Sequence, residues 1–357
     1  MSYRRKLTRL GINLLLICSL CYVFCASNSA KESIQQALSL CLGPLLSALF
    51  PFLVLSNLLF VCDAHQLLGH WCSFPAKLID VSSPGAGSAL LMGCTGGFAP
   101  ACVTLRRLYE NQELSAQQCT ALLPLCLSVG PSFVVLTVGG FFHSPVLGWI
   151  LYLAQMLACL VCGMVYRFLS SRPLPVPPDS KSITQAPVSP TFSSSIADAA
   201  LSFVKLSGCI LFFSFLSGAL QFFLPEALHA PLSLCMEVSS GCAYAAQQTP
   251  YGLYLCSTVL SFLGLSALIQ IRSILPKAVS LRPFLLLRPL HAAVSVFIVH
   301  TAMQYLPAEA VYSSVTPDIF LRQRSSPLAA LILFLLLCRL AVCLADIMKW
   351  YSQKSLL

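Results

Sequence analysis

Apolar positions fall in long runs, at 37 to 62, 85 to 105, 114 to 140, 145 to 168, 199 to 224, 251 to 271, 283 to 306 and 327 to 350, after a shorter run from Leu10 to Ala26. Runs without polar alternation predict helices that are apolar all round, which cannot face water on any side. Since roughly 20 apolar residues cross a bilayer core, the pattern predicts an all-α polytopic membrane protein, with room for at most about seven to ten segments. Two stretches depart from it. Residues Asp63 to Asp80, with His65, His70, Trp71 and Lys77, are too polar to span and are expected at the interface. Between Ser170 and Ser195, Pro173, Pro175, Pro177, Pro178, Pro187 and Pro190 stand among serines and predict a flexible linker. The expected organisation is an N-terminal signal-anchor helix in 1–36, a first half in 37–169, the linker in 170–195, a second half in 196–306 and a C-terminal helix in 307–357. Arg4, Arg5, Lys6 and Arg9 ahead of the first run place the amino end in the cytoplasm, whether that run is an anchor or a signal peptide.

Composition narrows the function classes. Only 9% of residues are charged and 57% are hydrophobic, against about 25% charged in soluble proteins. The chain cannot cover an ordinary water-facing surface, and cytosolic enzymes are excluded. The net charge of +9, from 21 Lys and Arg against 12 Asp and Glu, marks cytoplasmic loops. It does not mark a nucleic-acid partner, because no basic run is interleaved with aromatics. Most of the 18 cysteines sit inside apolar runs, where a thiol acts as a small hydrophobe. Cys18-x2-Cys21 and Cys159-x2-Cys162 each lack the second pair a metal site needs. With no Gly-x-Ser-x-Gly, phosphate loop or catalytic cluster, neither an enzyme nor a cofactor is expected. Any transport is passive or coupled to an ion.

Several runs are interrupted in a way that ordinary spans are not. PGAGSALLMGCTGGFAP, 84 to 100, holds five glycines and two prolines in seventeen positions, and Ser128-Val129-Gly130-Pro131-Ser132 divides the run from 114 to 140. Irregular backbone at membrane depth survives only where it lines a cavity or is buried in protein, so these breaks predict discontinuous helices around a site. The second half echoes the first. Asp80-Val81-Ser82-Ser83-Pro84-Gly85 returns as Glu237-Val238-Ser239-Ser240-Gly241, Met92 to Gly96 returns weakly as Leu263 to Ala267, and Leu114-Ser115 with Pro124-Leu125 returns as Val279-Ser280 with Pro289-Leu290. An internal duplication is the common build of secondary transporters. Split at its glycines, 85 to 107 gives half-helices below spanning length, so it is read as a re-entrant hairpin, with a second at 251 to 274 entering from the opposite side as an inverted repeat. Arg272, Lys277 and Arg282 argue the other way, since keeping them inside requires 251 to 271 to span.

The chain resembles the sporulation integral membrane proteins of the YlbJ type, within the nucleoside-recognition or Gate superfamily that includes concentrative nucleoside transporters. The resemblance covers roughly residues 44 to 306. It rests on PFLVLSNLLF (51 to 60), the 84 to 100 segment followed by LRRLYENQELS (105 to 115), SVGPSF (128 to 133) ahead of GGFFHSPVLG (139 to 148), and EVSSG followed by LGLSALIQ (263 to 270) and LRPFLLLRPLHA (281 to 292). It implies a bacterial membrane protein, in the outer forespore membrane, that moves dipicolinic acid, a small aromatic dicarboxylate, by alternating access. Its alternatives are a nucleoside transporter and a non-transporting scaffold of spore-envelope assembly. The family carries a Thr-Asn-Asn stretch where this chain has Cys126, Leu127 and Ser128, and a His where it has Leu268.

The residues themselves suit a small-molecule anion in a lipid bilayer, with a coupling ion left open. Half-helices starting near Gly85, Gly97 and Gly241 would present free N–H groups and positive dipole ends. The candidate contacts are Ser82, Gly85, Thr95, Gly96, Gly97, Ser128, Gly130, Ser132, Glu237, Ser239, Ser240, Ser266, Gln270, Arg288 and His291. For the serines the alternative is close helix packing. Arg288 and His291 lie one turn apart on an apolar helix, where charge is costly enough to demand a cavity or a partner. The alternative for Arg288 is a structural pair with Glu237, and Glu237 and Asp80 are equally read as helix caps.

Overall fold

The computed structural model describes residues 2–61, 67, 69–70, 72–81, 83–170, 192–248 and 250–305. Most of the expected linker, the C-terminal helix in 307–357 and Ser82 lie outside the described residues. Among the described residues the chain is largely helical, with no strand. The helices are α1 (Ser2–Cys25), α2 (Ser27–Leu40), α3 (Leu46–Val61), α4 (Pro84–Gly96), α5 (Phe98–Glu110), α6 (Ala116–Cys126), α7 (Ser132–Phe141), α8 (Pro145–Leu169), α9 (Phe192–Phe223), α10 (His229–Met236), α11 (Val238–Ala246), α12 (Gly252–Phe262), α13 (Gly264–Ile274) and α14 (Arg288–Gln304).

Among the described residues three segments are long and apolar enough to cross a membrane: Pro145–Leu169, Phe192–Phe223 and Gly252–Ile274. That is fewer than the apolar runs: those at 85 to 105 and 114 to 140 are broken below spanning length, Arg288–Gln304 has 17 residues, and 327 to 350 lies outside the described residues. At the amino end Asn13–Cys25 and Ser27–Gly43 meet at 105°. The expected boundary after residue 36 falls inside α2, whose Lys31, Glu32, Gln35 and Gln36 interrupt the hydropathy but are good helix formers.

Two pairs of short helices fold back on themselves. Ser83 caps α4 by accepting from Gly85 N–H, with Pro84 in the first turn. At the far end Gly97 takes φ +85° and ψ −165°, open in practice to glycine alone. The chain reverses there, so that a Cβ on Gly85 would stand 2.5 Å from Leu108 Cδ2 near the end of α5. The second reversal is at Glu237, one extended residue (φ −146°, ψ 135°) between α10 and α11. Gly241 then lies against the carbonyls of Ser233 and Leu234, 3.2 and 3.3 Å from where its Cβ would be.

Each hairpin is followed by an interrupted helix. The segment α6–α7 is broken at 127 to 131, ahead of a π-helical stretch from Ser132 to Val138. The segment α12–α13 is broken at Leu263 (φ 67°) and Gly264 (φ 70°). This corrects the expected second hairpin. Residues 251 to 274 do not fold back but form the span-length segment that the charges of Arg272, Lys277 and Arg282 favoured, and the hairpin of this half lies earlier, at 229 to 246. Nor do the echoing motifs occupy equivalent places: Asp80 to Gly85 is at the open end of the first hairpin, while Glu237 to Gly241 is at the tip of the second. In each half the tip rests on the following break. A Cβ on Gly97 would meet Gly130 N at 2.6 Å, and one on Gly264 would meet Glu237 Cα at 3.2 Å.

α8 lies among α6, α7 and α14, and glycines set the close approaches: Gly148 against Val135 and Gly163 against Leu125. α9 packs on α2 and α3, and α5 on α13, so one buried apolar cluster runs through both halves. At its end α8 is tied to the loop before α4 by Arg167, whose Nε donates to Asp80 Oδ2 at 2.6 Å; the cap expected of Asp80 is this ion pair instead. Asp80 is mostly exposed, so Asp80→Ala should cost no more than about 1 kcal/mol, read as a small shift of the melting midpoint in detergent.

Candidate functional site

Both hairpin tips, the first break and the start of α13 line one cavity of about 660 Å³. The first hairpin contributes Gly96, Gly97 and Phe98, the first break Gly130 and Ser132, the second tip Glu237 and Ser239, and α13 contributes Ser266 and Gln270. α3 and α9 close it with Phe52, Asn57, Lys205, Cys209 and Phe213. Eight of the fifteen candidate residues therefore meet here: Gly96, Gly97, Gly130, Ser132, Glu237, Ser239, Ser266 and Gln270.

The electrostatics follow from the helix ends. The first N–H groups of a helix have no intrahelical acceptor. At α5 the preceding residue is Gly97, which has no side chain to supply one. The π-helical start of α7 follows Pro131 and is also without a side-chain cap. Both ends carry the positive pole of the helix dipole to the cavity wall. At α11 the same need is met internally, because the Glu237 carboxylate accepts from Ser240 N–H at 2.8 Å and from Ser240 Oγ at 3.0 Å. Glu237 is thus a buried acid that caps its own helix and still borders the cavity, and the cap reading of the sequence holds for it. Arg107 on α5 and Lys205 on α9 bring cations to the same wall.

The other candidates are elsewhere. Gly85 is at the open end of the first hairpin, against Leu108. Thr95 returns its hydroxyl to Leu91 O at 2.8 Å, and Ser128 is buried with its carbonyl toward the Gly97 turn. Ser240 faces a second cavity and reaches the first only through Glu237. Ser82 lies outside the described residues.

Arg288 does not line the cavity and does not pair with Glu237. It is buried, its guanidinium 3.9 Å over the Phe284 ring. Its Nη1 donates to Ser261 O and its Nη2 to Leu127 O, each at 2.7 Å. Those carbonyls belong to the ends of α12 and α6, where the breaks strip helical partners from the last residues. One guanidinium, with its planar fork of donors, therefore satisfies both interrupted helices and joins the two halves. His291, on the next turn, is buried with Nε2 3.3 Å from Cys159 Sγ. Beside them Gln155 is fully buried and donates to Ser257 O, Ser261 Oγ and Ser295 Oγ. These polar groups bind α8, α12 and α14 to one another.

Sequence reasoning missed Asn57, Arg107, Lys205 and the aromatic wall. Arg107 sits in the last turn of α5, where basic residues are ordinary, Lys205 is a single cation along α9, and an aromatic residue in an apolar run carries no mark of facing a cavity. No protein-family model matches the chain, and no curated protein or solved structure matches it either.

Proposed function

We propose that the protein is a membrane transporter of a small anionic aromatic metabolite, working by alternating access with α4–α5 and α10–α11 as re-entrant hairpins of an inverted repeat. The observation that carries this reading is the cavity of about 660 Å³ lined by both hairpin tips, by the break ahead of α7 and by α13 just past the second break, since discontinuous helices at membrane depth are the usual frame of a transporter's binding site. The anionic character rests on the uncapped starts of α5 and α7 together with Arg107 and Lys205. The aromatic character rests on Phe52, Phe98, Phe133 and Phe213 in the lining. The resemblance to the YlbJ type makes dipicolinic acid, moved across a bacterial membrane during spore formation, the first compound to try. A second reading, a nucleoside substrate, is favoured by Glu237 and Gln270, an acceptor and an amide suited to sugar hydroxyls and a base edge.

Uptake by purified protein in liposomes separates the two. Dipicolinate is expected to enter faster than into empty vesicles and to be competed by other aromatic dicarboxylates but not by uridine. Lys205→Gln should raise its KM by about tenfold, the loss of one charged contact, and leave the melting midpoint in place. Uptake of uridine alone would favour the nucleoside reading, and uptake of neither compound would leave the scaffold as the better description.

A further inference from the structure

A second cavity of about 490 Å³ lies on the other side of the Glu237 tip, between α2, α9, α10 and α11. Its lining is polar to a degree that the apolar helices around it do not require. Ser214, Ser217 and Gln221 of α9 face Ser233 of α10, Ser240 of α11 and Gln36 of α2. Gln221 Nε2 donates to Ser217 Oγ at 3.2 Å and to Ser233 Oγ at 2.8 Å. Ser214 Oγ is buried with no hydrogen-bond partner in the protein, and a polar group so placed is ordinarily satisfied by water.

The two cavities are stacked along one helix. α9 lines the first with residues from Ser202 to Phe213 and the second with residues from Ser214 to Gln221. At 1.5 Å per residue they share about 28 Å of helix, close to the roughly 30 Å of a bilayer core. What stands between them is the second hairpin tip. Glu237 borders the first cavity, Ser240 borders the second, and the Ser240 hydroxyl donates to Glu237 Oε2 at 3.0 Å. We propose that Glu237 is the proton-coupling group of the protein, taking a proton from the second cavity through the Ser240 hydroxyl and releasing it to the first, so that the anion moves with a proton. The inference rests on the transport reading above.

The exchange balances without a co-reactant. The Ser240 hydroxyl passes its proton to the carboxylate and takes one from a hydronium ion supplied by the solution to the second cavity, leaving a neutral acid and a water molecule. Loss of that proton to the first cavity restores the carboxylate. The ionisable groups close enough to interact with Glu237 are thiols, Cys41 ahead of α3, Cys209 on α9 and Cys242 on α11. Lys205 and Arg107 share its cavity, and Tyr244 lines the other. A neutral acid also removes a negative charge from the wall that an anionic substrate must approach, which links the two loads.

The test uses the full chain in liposomes holding a pH-sensitive dye, with dipicolinate as the probe. In wild type an inward pH gradient should drive accumulation, with protons entering alongside dipicolinate. Ser240→Ala and Ser217→Leu, neither of which lines the substrate cavity, should keep dipicolinate exchange across equal pH and lose pH-driven accumulation by about tenfold, an ordinary coupling between two ligands. Exchange also reports that each variant is folded. Exchange with no proton movement in wild type overturns the inference and leaves the transport reading standing, whereas no exchange at all removes the transport reading. In that event infrared spectroscopy in nanodiscs, which needs no substrate, decides the proton part. A carboxyl band that titrates between acid and neutral pH, is missing in Glu237→Gln and exchanges with deuterium more slowly in Ser217→Leu supports a Glu237 reached through the second cavity. A Glu237 band unchanged by pH rules that out.

Discussion

Arg288→Gln is expected to destabilise the folded protein outright, by about 3–5 kcal/mol, the usual cost of removing one partner from a buried charged contact. The guanidinium donates to Leu127 O and Ser261 O together, and glutamine is too short to reach both. Each carbonyl left dry costs about 1–3 kcal/mol. Against a typical stability of about 5–15 kcal/mol the loss is large, so the variant should melt well below wild type in detergent and elute partly aggregated. Arg288→Lys keeps the charge but has a point ammonium in place of the fork, and its melting midpoint should fall between the two. A stable, monodisperse Arg288→Gln that merely fails to transport would show that the residue serves the substrate and not the two helix ends.

Gly97→Val should remove transport with a comparable cost at the first hairpin tip. Positive φ costs a side chain about 1–3 kcal/mol, and any Cβ would meet Gly130 N at 2.6 Å and its Cα at 3.1 Å, an overpacking worth about 1–3 kcal/mol more. The clash is between two backbones, so no rotamer relieves it. It is relieved only by moving the tip away from the break, which opens the cavity wall and re-aims the first N–H groups of α5. Uptake should fall by about a hundredfold or more, the equivalent of about 2.8 kcal/mol or more, and ligand-dependent stabilisation in a melting scan should vanish. Gly140→Ala, where a Cβ meets nothing within 4 Å, is the control and should change neither.

The sequence alone carried the helical class, the presence of spanning segments and the positions of the breaks, because these follow from local chemistry. Hydropathy needs no partner to be read, and Gly96-Gly97 or Gly130-Pro131 interrupts a helix whatever surrounds it. It also carried the residues that meet at the cavity through backbone or small side chains, Gly97, Gly130, Ser132 and Ser239 among them, since they sit beside those breaks. The direction of the chain after each break was decided only in the tertiary structure. Gly97 reverses the chain and Leu263-Gly264 does not, although both are positive-φ sites beside glycine, because the outcome depends on what packs against each half-helix: α4 and α5 on each other, α12 on α11 and α14, α13 on α5 and α10. The partner of Arg288 was likewise beyond the sequence. Glu237 was the natural candidate as an acid, but the acid is spent on the start of its own helix, and the cation is taken by two carbonyls, at 127 and 261, that exist as acceptors only because two helices distant in sequence are broken within reach of one guanidinium.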